Sequence, residues 1–102
     1  MYLIQLLLPL YDNDGAVLPK SLFAEVREEL VRQFGGLTAY TRAPAHGLWC
    51  EDNDQTVRDD LIIHEVMAPE LDRAWWQAYR ASLEARFRQE QVLIRVHQVE
   101  TL

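Results

Sequence analysis

Glu65, in the apolar run LIIHEVM (61–67), and His97, two residues after Arg95 in VLIRVHQV (92–99), are the side chains of this sequence best suited to acid–base chemistry. A few convergent polar groups inside an apolar wall shift pKa values and suit proton abstraction beside a carbonyl. In that reading Glu65 and His97 act as acid and base, Arg95 sets the charge and Gln5 orients the substrate. A plainer reading uses the same residues: Glu65 and Arg95 form a buried interface ion pair that fixes register, with His97 near the rim. A second group gathers along another extended segment and its loops: Tyr40, Arg42, His46, Trp49, Arg58 and Asp59. His46 stands between Ala45 and Gly47 on an expected loop, where ligand contacts concentrate, although an exposed turn histidine has the same signature. His64, next to Glu65, reads as a core histidine with a local hydrogen bond.

Other chemistries are excluded by spacing. His46, His64, His97 and Cys50 show no His-x-x-x-His or Cys-x-x-Cys pattern, so no metal site is expected. The acidic turn YDNDG (11–15) fails as a calcium loop because Leu10 occupies the first ligand position. Phosphate-cradling glycine motifs and a nucleophile elbow are absent, and no cofactor is expected. The single cysteine excludes an intrachain disulfide and points to the cytoplasm; nothing basic lies beside Cys50 to activate it.

The elements that must position these residues are those of one domain spanning 1–102. At 49% hydrophobic and 25% charged, 102 residues suffice for one core and not for two. A formal net charge of -6 with no segregated basic patch argues against nucleic acid or an anionic membrane surface as partner. Met1 to Leu10 is apolar, yet it lacks the basic start and small-residue cleavage site of an export signal, and it reads as a strand. No apolar run approaches the roughly 18 residues that span a bilayer.

The first strand, Tyr2 to Tyr11, is apolar at both parities, so both of its faces should be covered. Pro19 suits a helix start, Leu22, Phe23, Val26, Leu30 and Phe34 form one stripe, and Gly35–Gly36 ends it. An extended region from Leu37 to Arg42 resumes at Leu48 to Cys50, either as one bulged strand or as two short ones. Val57 to Met67 is the third strand. Pro69 or Asp72 starts a second helix with the stripe Leu71, Trp75, Tyr79, Leu83 and Phe87, and Trp76 alongside. Aromatics at that spacing are chiefly core, although the adjacent Trp75 and Trp76 cannot share one line of the helix and one of them could serve a protein interaction. Val92 to Val99 is the last strand.

The order predicts an α+β, ferredoxin-like βαββαβ fold: a four-stranded antiparallel sheet with two helices on one face. Parity then sorts the strands. Val92, Ile94 and Val96 should face the helices and Leu93, Arg95, His97 and Val99 should face away. A neutral imidazole is buried more cheaply than a carboxylate, so His64 faces the helices and Glu65 does not. The helix-free face then reads Leu3, Leu7, Leu61, Ile63, Met67, Leu93 and Val99, with Gln5, Glu65, Arg95 and His97 among them. A patch this apolar marks an association surface, and the expected partner is a second copy packed sheet to sheet about a twofold axis.

FGGLTAY (34–40) followed by GLW (47–49), VRDD (57–60) entering the third strand, and RFRQEQVLIRV (86–96) joining helix to strand resemble a family of uncharacterised small bacterial domains within the dimeric α+β barrel group. The resemblance spans nearly the whole chain and implies a homodimer with ligand space between sheet and helices or inside the barrel. The wider group includes cofactor-independent monooxygenases of quinones and polyketides, lactone isomerases, haem-degrading enzymes and proteins without known activity. The function it implies here is a small aromatic or carbonyl ligand handled by a cofactor-independent monooxygenase or isomerase; a non-catalytic structural or protein-interaction dimer is the alternative.

Overall fold

The computed structural model describes the backbone of residues 1–50 and 56–102 and the side chains of residues 1–40 and 60–102. Six elements follow in order: β1 (Tyr2–Pro9), α1 (Lys20–Phe34), β2 (Thr38–Cys50), β3 (Thr56–Ala68), α2 (Arg73–Arg86) and β4 (Leu93–Gln98). They build an α+β fold around a four-stranded sheet of order β2-β3-β1-β4, antiparallel at every junction. Both helices lie on one face, because Phe23, Val26 and Leu30 from α1, Trp76 and Leu83 from α2, and Phe87 just beyond α2 share a core with Ile4, Leu6, Leu8, Ile62 and Val66.

Local chemistry sets the element ends. Asp12 Oδ1 accepts from the Asp14 and Ala16 amides, both at 2.9 Å, closing the turn after β1, and Gly15 takes its left-handed position at φ 81°. Gly35, also at φ 81°, ends α1 by donating its amide to the Val31 carbonyl at 2.8 Å. Asp72 caps α2 by accepting from the Trp75 amide at 3.1 Å, which decides between the two start signals in its favour. β2 is one strand with a register shift between Tyr40 and Ala45, not two strands around a loop.

The aromatic stripe of α2 divides. Trp76, Leu83 and Phe87 are buried, whereas Trp75 and Tyr79 are half-buried and turn toward the end of α1. There Phe34 stacks on Trp76 (ring centroids 5.2 Å apart, interplanar 14°) and Trp75 stacks on Tyr79 (4.9 Å, 16°). Both tryptophans therefore bind the helices together. Below this cluster Glu29 of α1 accepts from Arg86 at both carboxylate oxygens, 3.1 and 2.9 Å, and from the Tyr79 hydroxyl at 2.9 Å. Burial alone would raise the Glu29 carboxyl, but the Arg86 and Tyr79 hydrogen bonds and the nearby Arg86 and Arg32 charges bring it below its ordinary value. The pair is partly solvated, with Arg86 25% and Glu29 38% exposed, so its contribution is modest despite the two-pronged geometry. Glu29→Ala is expected to lower stability by about 1–2 kcal/mol and Tyr79→Phe by less, as read from urea denaturation midpoints. Equal midpoints for wild type and Glu29→Ala would show that the tie between the helices contributes nothing.

Candidate functional site on the helix-free sheet face

Alternation along β1 separates two surfaces. Ile4, Leu6 and Leu8 are fully buried under the helices, while Leu3, Gln5 and Leu7 are half-buried on the opposite face. Register carries that parity to the neighbouring strands. Gln5 stands between Glu65 of β3 and Arg95 of β4, and Glu65 in turn faces Thr38 of β2. One row therefore runs Thr38, Glu65, Gln5, Arg95 across the sheet. One step along lies the row Tyr40, Ile63, Leu7, Leu93, and one step the other way lie Met67, Leu3 and His97.

Glu65 is the hub of the polar contacts. Gln5 Nε2 donates to Glu65 Oε1 at 2.7 Å, and the Tyr40 hydroxyl donates to Glu65 Oε2 at 3.3 Å. Tyr40 is opposite Ile63, so it reaches Glu65 along the diagonal, within range of a long side chain on adjacent strands. The Glu65 charge, more than the slight desolvation and the hydrogen bond itself, holds the Tyr40 phenol above its ordinary value. Around it Met67 is 49%, Leu93 47% and Tyr40 50% exposed, so a chain on its own presents apolar surface on three strands at the place where its charge is held.

Arg95 lies one strand beyond Gln5 and is exposed; among the described residues it forms no ion pair, with Glu65 or with any other carboxylate. Two strand spacings separate it from Glu65, roughly 10 Å between Cα positions. His97 is exposed and opposite Leu3, two residues farther along β4. Its Cα is about 12 Å from that of Glu65, so proton transfer between the two requires a bridging molecule. His46, Trp49 and Arg58 lie outside the residues whose side chains are described; their backbones pair with Asp60, Val57 and Leu48 respectively.

Three residues depart from the sequence expectation. His64 is fully buried on the helix side, as parity requires, but neither ring nitrogen has a hydrogen-bond partner among the described residues. Its cross-strand neighbours, Leu6 of β1 and Ala39 of β2, offer no side-chain donor or acceptor for the expected local bond. Tyr40, assigned by sequence to a separate group on β2, joins Glu65 instead. Its part was hidden because the register shift lies immediately after it, and no spacing rule fixes parity across such a shift. On the helix side a shallow groove of about 180 Å³ is lined by Leu71, Trp76, Ile94 and Val96 with Arg73, Gln77 and Arg80 at its margin. It is smaller than the usual range for ligand sites and does not touch the Glu65 row. Val96, expected under the helices, is 41% exposed beside that groove because β4 is the sheet edge. Among the described residues no cluster of three or more His, Cys, Asp or Glu could hold a metal ion, and no helix is long and apolar enough to cross a membrane.

No family model matches the sequence, and no curated protein is similar to it. Solved structures do resemble the fold. A phage SAM lyase in complex with S-methyl-5'-thioadenosine superposes with a TM-score of 0.66 at 15% identity, covering 95% of this chain and 80% of that one. A phage SAM lyase in the apo state gives 0.61 at 12% identity, over 94% of this chain and 78% of that one. At such identities the likeness is one of fold, and it places this chain among small α+β proteins.

Proposed function

We propose that the helix-free sheet face is the working surface of this protein, where two copies associate face to face and a small molecule is held against Glu65 in the seam. The observation that carries this reading is a carboxylate, fixed by two donors, at the centre of an exposed apolar face. Apolar surface of this kind is covered in stable proteins, and covering it also dries the surroundings of Glu65, which strengthens any interaction the carboxylate makes. Burying some 400 Å² of it contributes about 10 kcal/mol before association costs of about 4–15 kcal/mol. The apolar term thus roughly balances the cost, and the polar groups decide whether and how two copies meet.

The chemistry suited to the seam is acceptance of a proton or a positive charge by Glu65, with the Tyr40 hydroxyl beside it and His97 on the next row, two strands away. A small aromatic or carbonyl compound would serve the base reading, in a cofactor-independent isomerase or monooxygenase; the resemblance to the dimeric α+β barrel group supports that class. The fold likeness to phage SAM lyase adds an adenosine thioether as a second compound class to test. A dimer that binds nothing is the non-catalytic alternative.

The test is a thermal-shift and calorimetric screen of quinones, small aromatic acids and S-methyl-5'-thioadenosine against wild type and Glu65→Gln. Glu65→Gln keeps the shape, replaces an acceptor by a mixed donor–acceptor, and faces the Gln5 amide with another amide. A bound compound is expected to lose at least tenfold in affinity in the variant, while thermal stability without ligand changes by less than about 1 kcal/mol. Binding that is indifferent to Glu65→Gln would place the ligand elsewhere.

A further inference from the structure

Arg95 and Glu65 share one row of the sheet, carry opposite charge and do not meet within the chain. They are the acidic and the basic side chain of that row. We infer, resting on the face-to-face association proposed above, that each Arg95 completes the Glu65 site of the other copy, and that two such reciprocal pairs select the orientation of the dimer.

Geometry singles out one arrangement. Glu65 on β3 and Arg95 on β4 flank β1 symmetrically, each one strand spacing of about 4.8 Å from it, at the level of Gln5. A twofold axis running along the strands above β1 lays β4 of one copy over β3 of the other without shifting levels. Arg95 then stands over the partner's Glu65, and the reverse pair forms at the same time. An axis running across the strands at that level lays β4 over β4 and β3 over β3, so Arg95 would meet the partner's Arg95 and Glu65 the partner's Glu65. Like charges juxtaposed in a dry seam disfavour that alternative strongly.

Packed sheets stand about 10 Å apart, a gap that an extended arginine and a glutamate bridge together. The usual rotation of about 30° between aligned sheets moves groups only one strand from the axis by little. The same axis sets Leu93 over the partner's Ile63, so apolar surface meets apolar surface on the adjacent row. Glu65 is also ready as an acceptor. Gln5 uses one lone pair of Oε1 and Tyr40 one of Oε2, which leaves one on each oxygen, one for the partner's guanidinium and one for a bound molecule.

The experiment is reciprocal charge reversal with complementation. By analytical ultracentrifugation, Glu65→Arg and Arg95→Glu are each expected to weaken self-association at least about 30-fold, since each turns both pairs repulsive. An equimolar mixture of the two variants is expected to associate like wild type, because each chain then supplies the charge the other lacks at both positions. Restoration in the mixture can arise only from contacts between copies. Wild type that stays single at all concentrations overturns the association reading itself. Wild type that associates, with both reversals also associating normally or with no recovery in the mixture, overturns the pairing and leaves the association standing. Should either reversal fail to fold by circular dichroism, Glu65→Gln and Arg95→Gln and their double variant replace it. The pairing then requires that the second substitution weaken association far less than the first, and simple additivity of the two losses overturns it.

Discussion

Lowering the pH from 7 to 4 removes about 3 kcal/mol of stability through His64 alone, and His64→Leu abolishes this part of the loss. His64 is fully buried with both ring nitrogens unpartnered among the described residues, and burial, aided by the positive charge of Arg27, lowers its pKa from 6.5 to about 4. In the unfolded chain the imidazole titrates near its ordinary value. Between those two values the unfolded state binds a proton that the native state refuses, so each pH unit downward costs about 1.4 kcal/mol. The contribution of neutral His64 is complete above about pH 6.5, declines through the window, and levels off below about pH 4. Glu29, whose carboxyl is lowered by its partners, adds a loss of its own in the same direction, beginning below about pH 4.5. It is unchanged in His64→Leu and cancels in the comparison. Urea denaturation of both proteins at pH 7, 6, 5 and 4 is the measurement. At pH 7 the leucine variant should be at least as stable as wild type, because it removes a donor and an acceptor buried without partners. Parallel stability curves for the two proteins between pH 6.5 and 4.5 would mean that His64 is hydrated or bonded in solution.

His64 also shows where sequence reasoning stops. Its face followed from an energetic comparison that needs no coordinates: of two adjacent ionisable groups, the one able to become neutral near pH 7 goes under the helices. Its surroundings did not follow, because its neighbours Leu6 of β1, Ala39 of β2 and Arg27 of α1 are distant in sequence. The same division runs through the candidate site. Gln5, Glu65 and Arg95 were assignable to one face from the parity of three strands, and the split βαββαβ order put β1 between β3 and β4, hence Gln5 between the other two. That Glu65 bonds Gln5 and Tyr40 rather than Arg95 depends on reach. A glutamate and an arginine on strands two apart are too far away, whereas a tyrosine on the next strand reaches diagonally. The Glu29, Arg86 and Tyr79 contact joins residues 50 and 57 positions apart, and no periodicity announces it.

Phe87→Ala is expected to produce the largest loss of any substitution considered, about 3–5 kcal/mol, with a melting temperature lower by about 15 °C or more. Phe87 is fully buried and meets Phe23 of α1 edge to face, ring centroids 5.2 Å apart and planes at 80°. A pair of that geometry adds to the area term, and the cavity left by truncation lies between two helices and a sheet that cannot close on it without moving together. Phe87 also ends α2. Its amide donates to the Leu83 carbonyl at 2.8 Å, and the chain then turns sharply through Arg88 at φ 53°. Gln89 returns its amide to the Glu84 carbonyl at 2.9 Å, and the Val92 amide donates to the Glu84 carboxylate at 2.9 Å as β4 approaches. The ring therefore anchors the reversal that delivers Arg95 to its place on the sheet. A domain of this size has about 5–15 kcal/mol in total, so the alanine variant gives up a fifth of it or more, whereas Phe87→Leu, which fills most of the space, should lose about 1–1.5 kcal/mol. Calorimetric unfolding of the three proteins at pH 7 separates the cases. An alanine variant within about 1 kcal/mol of wild type would show that the helices collapse onto the vacated space, and that the end of α2 is held by its backbone bonds and not by the ring.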